Sequence, residues 1–496
     1  MKIIVNFFPE IILKSKPVRK QFTKRLQNNI RTALKGYAKG IHVVNEWEKI
    51  TVSSDIATQE ETERIIEKLQ TIPGIGYIAE VAEFPFADFR TMAEKAFPFY
   101  KDVLPGKSLC VRVKRNKDRI FKALDAEREI GSYFIEHSPT TTVNLTKPDV
   151  LVRIRTEKDT FSVEKNRIAG IGGFPMGTGE KVLSLISGGF DSGVSSYLMM
   201  KKGIKTDFLF FNLGGRTHEL GVKEVSKYLA TQFSDGYGAN FITIDFEPVV
   251  AELLEKIHHK YRGVVLKRLM MKVASKIATL YDYAGIVTGE STGQVSSQTL
   301  TNLNVITEAA QTLVLRPLLA MDKIDIIDIS RKIGTEDFAK NMPEFCAVIS
   351  DKPSTAAKLE DILTEEDAFN FSLLEEAFDK RDVIKIKSYE AKPEDMEGIE
   401  QCSFVHKHEE IIDVRDDDKR EGHPFEYPDH TILHIPFYKL NRQFETLDQS
   451  KTYVLYCDKG VVSKMIALNL KEQGFSNIKV LRPLARGCEF EQPKSE

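Results

Sequence analysis

From residue 181 onward the chain alternates short apolar strands with helices, and this rhythm constrains the fold more than any other feature. Strands are predicted at "KVLSLIS", "TDFLFFNL", "NFITIDF" and "AGIVTGE", and a helix in "DSGVSSYLMMKK" that ends at Gly203 follows the first of them. The strands are apolar on both faces, which is typical of a parallel sheet covered by helices on both sides. We therefore predict a doubly wound α/β domain over residues 169–389.

The first strand of that domain runs into a glycine-rich stretch, "SLISGGFDSG", at residues 184–193. In open α/β sheets, ligands bind at the carboxyl ends of the strands, where this loop lies. Gly188 and Gly189 let the backbone turn tightly, and the helix that follows offers free N–H groups to an anion. No Walker lysine follows the glycines. The stretch is interpreted as a phosphate cradle, and an ordinary strand-to-helix turn is the alternative.

The part of the chain before this domain is basic, although the whole chain has a formal net charge of −2. Residues 1–40 hold ten Lys or Arg and one acid, and residues 112–122 hold six Lys or Arg and one Asp. Two small α+β domains are predicted here, at 1–75 and 76–168. The charge indicates a polyanionic partner, with a solvated basic surface as the alternative. The candidate phosphate contacts are Lys114, Arg115, Lys117 and Arg119.

The cysteines, together with the absence of secretory, membrane and metal-binding patterns, limit the class of protein. Five cysteines without a secretory signal or a CxxC pair favour a reducing cytoplasm over a disulfide framework. No apolar run of about 18 residues predicts a membrane span, and no metal site is evident.

An acidic segment at 390–403 is interpreted as a linker, and a last α/β domain is predicted at 404–496. In that domain "YCDKGVVS" places Cys457 between an apolar strand and a helix. The N–H groups and the dipole of such a helix favour an anionic sulfur at this position. A buried structural cysteine is the alternative.

The stretch "SGGFDS" resembles the pyrophosphate loop of the ATP pyrophosphatase family, whose members activate a carbonyl oxygen as an adenylate. "VVLKRLMMK" and "VTGESTGQVSSQT" resemble further stretches of one branch of that family, and "LRPL" and "DKIDI" add Arg316 and Lys323 as basic candidates. The resemblance implies ATP and Mg²⁺, with Asp191 helping to place the metal ion. For the lysines, a solvated surface position is the alternative. The ATP-binding residues that it implies are Leu185, Ile186, Ser187, Gly188, Gly189, Ser192, Lys267, Gly289 and Gln298. Among them, Lys267 would supply a fixed charge, Gly289 a close approach to adenine and Gln298 a hydrogen-bonding amide.

The loop at Cys457 and the neighbouring "IIDVR" resemble rhodanese domains, whose cysteine carries a persulfide. Many rhodaneses have an arginine within this loop where this chain has Val462, which favours a protein persulfide donor over thiosulfate. "KNMPEFCAVIS" supplies a second thiol, Cys346, that can attack a persulfide or disulfide. Taken alone, Cys346 would be interpreted as a core cysteine. "VNLTKPDVLVRIR", with "VRVKR" upstream, resembles the THUMP RNA-binding domain, and the module before it resembles its ferredoxin-like companion.

In this order, the ferredoxin-like, THUMP, pyrophosphate-loop and rhodanese-like domains resemble the tRNA 4-thiouridine synthases of the ThiI family, in their longer form. The resemblance implies that ATP adenylates O4 of uridine at position eight of tRNA, and that a cysteine desulfurase loads Cys457 with sulfur. Cys457 and Cys346 then pair as a transient disulfide. It also implies sulfur transfer to the sulfur-carrier protein of thiamine thiazole synthesis. Two alternatives are a pyrophosphate-loop ligase or amidotransferase acting on a small molecule, and a non-catalytic RNA-binding sulfur carrier.

Overall fold

A computed structural model describes most of the chain. The described residues are 1–47, 49–115, 121–213, 215–340, 352–390, 399–415, 420, 425–435, 440, 443–457 and 461–482. They form two compact units, one made of 1–179 with 200–204 and 232–237 and the other made of the remainder. Within these ranges, no helix has both the length and the apolar character needed to cross a membrane.

The first unit is built on a single eight-stranded sheet. Its strands are β1 (Lys2–Phe7), β2 (His42–Asn45), β3 (Lys49–Ser53), β4 (Ile75–Pro85), β5 (Ser108–Lys114), β6 (Thr142–Val143), β7 (Val150–Thr156) and β8 (Thr160–Ala169), in the order β2-β3-β1-β4-β8-β7-β5-β6. Its helices are α1 (Pro9–Ile12), α2 (Lys16–Ala33), α3 (Gln59–Gln70), α4 (Phe89–Ala96) and α5 (Ala123–His137). Because β4 pairs with both β1 and β8, the two predicted α+β domains share one continuous sheet.

The second unit contains the predicted nucleotide-binding sheet. Its strands are β9 (Lys181–Leu185), β10 (Lys205–Asn212), β11 (Asn240–Asp245), β12 (Gly285–Val287), β13 (Val314–Leu315) and β14 (Asp382–Lys385), in the order β13-β12-β9-β10-β11-β14. The helices around it are α6 (Phe190–Lys201), α7 (Gly215–Phe233), α8 (Glu247–Lys256), α9 (Arg262–Leu280), α10 (Leu300–Glu308), α11 (Lys323–Ile333), α12 (Glu336–Lys340), α13 (Leu359–Glu366) and α14 (Ser372–Asp379). The predicted doubly wound parallel sheet is confirmed, with one departure: β14 runs antiparallel to β11 at the edge.

The strand order places a ligand crevice beside β9. From β9 the chain moves outward through β10 and β11, and it returns on the other side of β9 as β12 and β13. The crevice of a doubly wound sheet opens at the carboxyl ends of the strands where the order reverses, here β9 and β12. The loops after these two strands are therefore the ones that form a site.

A third, all-parallel sheet follows in the same unit. Its strands are β15 (Glu400–Cys402), β16 (Glu410–Asp413), β17 (Ile432–His434), β18 (Tyr453–Tyr456) and β19 (Ile478–Leu481), in the order β15-β19-β18-β16-β17, with helix α15 (Val461–Glu472) after β18. The strand predicted before Cys457 is β18, and the helix predicted after it is α15. β15 lies within the segment interpreted as a linker, where it pairs with β19; its acidic surroundings gave no strand pattern.

A buried ion pair fixes α9 against α13 and yields a stability prediction. Arg268 is 1% exposed, its Nε donates to Glu366 at 2.7 Å, and Lys272 lies 3.1 Å from the same carboxylate. We expect Glu366→Ala to destabilise the second unit by about 3 kcal/mol, because a buried guanidinium loses its main counter-charge. Urea denaturation of the full chain measures this. Glu376→Ala is the control, since it removes only an exposed partner of Lys380 at 3.8 Å. Equal unfolding midpoints for the two variants would contradict the prediction.

Candidate active site

The loop after β9 has the geometry of a phosphate cradle. Gly188 has φ +82°, a left-handed conformation that glycine adopts without strain. Ser192 braces the loop: its Oγ accepts from the Ser187 N–H and donates to the Gly189 carbonyl, each at 3.2 Å. Helix α6 begins at Phe190, so its first N–H groups, which have no carbonyl partners within the helix, belong to this loop. Before the loop, Leu185 ends β9 and Ile186 is buried.

The loop after β12 crosses directly over the start of α6. A Cβ at Gly289 would lie 2.7 Å from the carbonyl carbon of Asp191 and 2.8 Å from the Ser192 nitrogen. Only glycine permits this crossing of two backbones. Gly289 thus brings the β12 loop against the glycine loop, and its contact with adenine stays a prediction.

Glu290, the next residue, holds two of the predicted basic groups together. Its Oε1 accepts from Lys267 Nζ at 3.0 Å, its Oε2 accepts from Arg316 Nε at 2.8 Å, and Thr288 Oγ1 donates to Oε2 at 3.1 Å. Burial alone would raise the pKa of the Glu290 carboxyl, but the charges of Lys267 and Arg316 outweigh it and lower that pKa below its ordinary value. The carboxylate is therefore charged at neutral pH and fixes both cations beside the crevice. Arg316 also donates from Nη2 to Thr307 at 2.8 Å.

Asp191 and Lys323 form a second ion pair at the same edge. Lys323 Nζ lies 2.8 and 3.0 Å from the two carboxylate oxygens, and both side chains are partly exposed. Lys323 is the first residue of α11, so its contact with the loop depends on a helix far along the chain. Within the described residues, no group of three or more His, Cys, Asp or Glu side chains forms a metal cluster. Asp191 nevertheless suits Mg²⁺, which is commonly held by one or two carboxylates together with substrate phosphates.

His218 is a site residue that the sequence did not indicate. It lies in the first part of α7, is 6% exposed, and its Nε2 is 3.0 Å from the carbonyl oxygen of Ser187. Burial lowers the pKa of His218 below its ordinary value, and the hydrogen bond to Ser187 opposes this only in part. The ring is therefore neutral at neutral pH and donates to the loop. No pattern around "RTHEL" indicated this bond, which forms only when β9 and α7 are brought together.

The loop after β12 also carries two glutamines, each with one buried side-chain atom that has no hydrogen-bond partner. Among the described residues, Oε1 of Gln298 and Nε2 of Gln294 are buried without a hydrogen-bond partner. A buried amide that makes no hydrogen bond costs free energy, so such a pair fits a site that a polar ligand completes. Gln298 was predicted as a nucleotide contact and Gln294 was not.

In the third sheet, Cys457 follows β18 directly and is 5% exposed. The Ser463 N–H and Oγ lie 3.4 and 3.3 Å from its Sγ, and α15 begins just before Ser463. Asp413, which pairs with Tyr456 across β16 and β18, forms a buried ion pair with Arg415 at 2.8 Å. The Arg415 guanidinium lies 5.2 Å from the centroid of the Tyr456 ring. The buried sulfur thus accepts a hydrogen bond from the Ser463 N–H and shares another with the Ser463 hydroxyl. The partner predicted for it, Cys346, lies outside the described residues.

Two of the four predicted RNA contacts are described, and they lie in the first unit. Lys114 and Arg115 are exposed at the end of β5, whereas Lys117 and Arg119 lie outside the described residues. The parallel pairing of β5 with β7 sets Arg112 beside Arg153 and Lys114 beside Arg155. The residues between them pack against α4 and α5 as part of a hydrophobic core; they are Val111, Val113, Val152 and Ile154. Since strand side chains alternate, the four cations lie on the opposite face.

Comparison with known proteins accounts for almost the whole chain. Family models match in series: "ThiI ferredoxin-like domain" at residues 2–79, "THUMP domain" at 86–163, "Thiamine biosynthesis protein (ThiI)" at 177–371 and "Rhodanese-like domain" at 397–482. A solved structure described as a 4-thiouridine synthetase–RNA complex with bound ATP has a similar fold, with a TM-score of 0.66. It is 24% identical and covers 77% of this chain and 99% of its own.

Full-length relatives are much closer in sequence. The "tRNA sulfurtransferase" of Tolumonas auensis is 46% identical over 483 residues, which is 97% of this chain and 100% of that protein. The "tRNA sulfurtransferase" of Haemophilus influenzae is 48% identical over 481 residues, which is 97% of this chain and 99% of that protein. On this evidence, and with all four domains matched in order, the chain belongs to the tRNA sulfurtransferase family.

Proposed function

We propose that the chain uses ATP to adenylate O4 of a uridine in tRNA, at position eight, and replaces that oxygen with sulfur carried on Cys457, which gives 4-thiouridine. The observation that carries the proposal is the convergence of the glycine loop with Lys267 and Arg316 at the switch point of the second sheet. Phosphate-binding groups and a crevice are what an adenylating enzyme requires.

The activation step makes a poor leaving group into a good one. O4 of uridine attacks the α-phosphorus of ATP, pyrophosphate departs, and the oxygen becomes part of a bound adenylate. The N–H groups of the glycine loop, with Lys267 and Arg316, would stabilise the charge on the departing pyrophosphate. Asp191 would hold Mg²⁺, which supplies further charge neutralisation at the phosphates. His218 keeps the loop in shape through the Ser187 carbonyl.

The substitution step uses the sulfur of Cys457. A cysteine desulfurase loads the thiolate with a persulfide, whose terminal sulfur attacks C4 while AMP leaves with O4. The base is then joined to Cys457 through a disulfide. The thiolate of Cys346 attacks Sγ of Cys457, the electron pair of that S–S bond leaves with 4-thiouridine, and a Cys346–Cys457 disulfide remains. A thiol reductant restores both cysteines. Ser463 is the described residue that would stabilise the anionic sulfur.

The basic face of the first unit is the proposed tRNA surface, and it gives a measurable prediction. Neighbouring strands lie about 4.8 Å apart, so Lys114, Arg153 and Arg155 form a compact group of charges suited to a phosphate backbone. Arg112 lies beside them but is paired with Glu127 at 3.5 Å. We expect Arg153→Ala with Arg155→Ala to weaken tRNA binding and to reduce the slope of log Kd against log salt by about 1.4 to 1.8. Filter-retention titrations at several KCl concentrations measure both. Lys256→Ala, an exposed lysine paired with Glu255, is the control; an unchanged slope in the double variant would contradict the assignment.

A second acceptor of the sulfur is proposed from the matched model "Thiamine biosynthesis protein (ThiI)". An adenylated sulfur-carrier protein of thiamine thiazole synthesis would be attacked at its acyl carbon by the terminal sulfur of the Cys457 persulfide, so that AMP leaves, and a thiol would then release the carrier as a thiocarboxylate. Mixing the persulfide form of the chain with the adenylated carrier and a thiol reductant, and measuring the mass of the carrier by mass spectrometry, tests this branch separately from tRNA.

One reaction tests the main proposal against its alternatives. It contains a tRNA transcript, ATP, Mg²⁺, cysteine, a cysteine desulfurase and a reductant. We expect the near-ultraviolet absorbance of 4-thiouridine to rise together with equimolar AMP and pyrophosphate. Pyrophosphate that forms equally well without tRNA would indicate a small-molecule ligase. RNA binding without any pyrophosphate would indicate a non-catalytic carrier.

A further inference from the structure

The first unit displays the chain's single tryptophan at its surface. Trp47 lies between β2 and β3 and is 62% exposed. The guanidinium carbon of Arg19, on α2, lies 4.8 Å from the centroid of the ring, and its Nη2 donates to the Trp47 carbonyl at 2.7 Å. One cation thus holds both the ring and its backbone, and the indole stays in solvent instead of joining the core.

The same helix fixes the strand that precedes Trp47. Gln27 Nε2 and Arg31 Nη2 each donate to the Val43 carbonyl at 2.9 Å. Since β2 is the outer strand of the sheet, these bonds tie its free edge to α2. The exposed position of Trp47 is therefore set by three side chains of α2 and is part of the fold.

The surroundings of the ring are basic. Between Ile11 and Asn45 the chain has nine Lys or Arg and no Asp or Glu. The exposed cations on α2 include Lys16, Lys20, Lys24 and Arg25. Two acids flank Trp47 in the sequence. Glu46 is compensated by Lys49 at 3.3 Å and by the Thr51 hydroxyl, and Glu48 lies outside the described residues. An exposed aromatic ring beside clustered cations is the composition of surfaces that stack an unpaired base and contact its phosphates.

We propose that Trp47 stacks on an unpaired base of the RNA substrate, with Arg19 orienting the ring and the lysines of α2 contacting the flanking phosphates. The inference rests on the proposed tRNA function and adds a residue that recognises single-stranded RNA. A protein partner on the same apolar ring is the competing occupant, and the charge around Trp47 favours RNA.

Because Trp47 is the only tryptophan, its fluorescence in the full-length protein reports on this ring alone. We expect saturating tRNA transcript to quench the emission, a single-stranded oligonucleotide to quench it at higher concentration, and a blunt RNA duplex to leave it unchanged. Emission that stays unchanged at saturating tRNA overturns the proposal. Emission that responds to a cysteine desulfurase whose own tryptophans have been replaced by phenylalanine, but not to tRNA, overturns it in favour of a protein partner.

Substitutions give an independent measurement. We expect Trp47→Ala to raise Kd for tRNA roughly 5- to 100-fold, and Trp47→Phe to retain most of the affinity because a ring remains. Val44→Ala is the matched control, since Val44 is an apolar residue of β2 that is 52% exposed; its Kd should equal the wild-type value. A Trp47→Ala protein with wild-type Kd overturns the proposal. Wild-type protein that thiolates tRNA without a change in emission overturns this inference alone, whereas protein that neither binds nor thiolates tRNA contradicts the proposed function as well.

Discussion

Cys457→Ala is expected to lower 4-thiouridine formation by about 10³-fold or more, while tRNA-dependent pyrophosphate release continues for at least one turnover. The reason is that activation and sulfur transfer are assigned to different sheets of the second unit. The groups proposed to activate the base lie at the second sheet, and Cys457 lies at the end of β18 in the third. Loss of this thiol removes the proposed carrier of the transferred sulfur and leaves Lys267, Arg316 and the glycine loop unchanged. Thiolated RNA and released pyrophosphate are measured in the same sample.

Cys402→Ala is the matched control for that experiment. Burial raises the pKa of the Cys402 thiol to about 11, so it is protonated at neutral pH and is a poor nucleophile. Its variant should thiolate tRNA at the wild-type rate. Normal 4-thiouridine in the Cys457→Ala protein, or equal loss in both variants, would remove the sulfur relay from the mechanism.

Glu290→Gln is expected to lower kcat/KM for ATP by about 10- to 100-fold in tRNA-dependent pyrophosphate release. Glu290 makes charge-assisted hydrogen bonds to Lys267 at 3.0 Å and Arg316 at 2.8 Å, and each such bond contributes about 1.5–3 kcal/mol. A neutral amide leaves the two cations less firmly held and mutually repelling. Glu290→Asp, which keeps the charge on a shorter arm, should recover part of the rate. The control is Glu308→Gln, whose half-exposed carboxylate pairs with Arg268 outside the crevice.

The pH dependence of stability tests whether the charge of Glu290, and not only its packing, holds Lys267 and Arg316 in place. The pKa of Glu290 is lower in the folded chain than its ordinary value. Its stabilisation is therefore complete above the ordinary Glu pKa, and it is lost as pH falls through the lower, folded value. As the pH falls through that range, the melting temperature of the wild type should drop by more than that of Glu290→Gln. Parallel melting curves for the two proteins, with unchanged ATP kinetics, would contradict a positioning role.

Much of the second sheet could be predicted because each of its strands is marked by a short apolar run in the sequence. The apolar runs before "SGGFDS" and "TGES" are strands β9 and β12, and the helix after the glycines begins where the pattern placed it. The resemblance to the ThiI family is confirmed by the family models and by the full-length relatives. Short runs beside polar segments were harder: β15 has three residues and was assigned to a linker.

The contacts that make the site were less accessible from sequence, because they join distant residues. Glu290 meets Lys267 and Arg316, which are 23 and 26 positions away, and His218 reaches Ser187 over 31 positions. Lys323 reaches Asp191 over 132 positions. Residue type marked several of these as candidates. Pairing depends on which loops the strand order brings to the same edge.

Isotope transfer from the base to the nucleotide tests the central claim most directly. A tRNA transcript made with ¹⁸O at C4 of its uridines is thiolated by the complete system, and the AMP is examined by mass spectrometry. If O4 is adenylated before sulfur replaces it, one ¹⁸O appears in the phosphate of AMP for each 4-thiouridine formed. Unlabelled AMP alongside normal thiolation would contradict activation of the base by ATP.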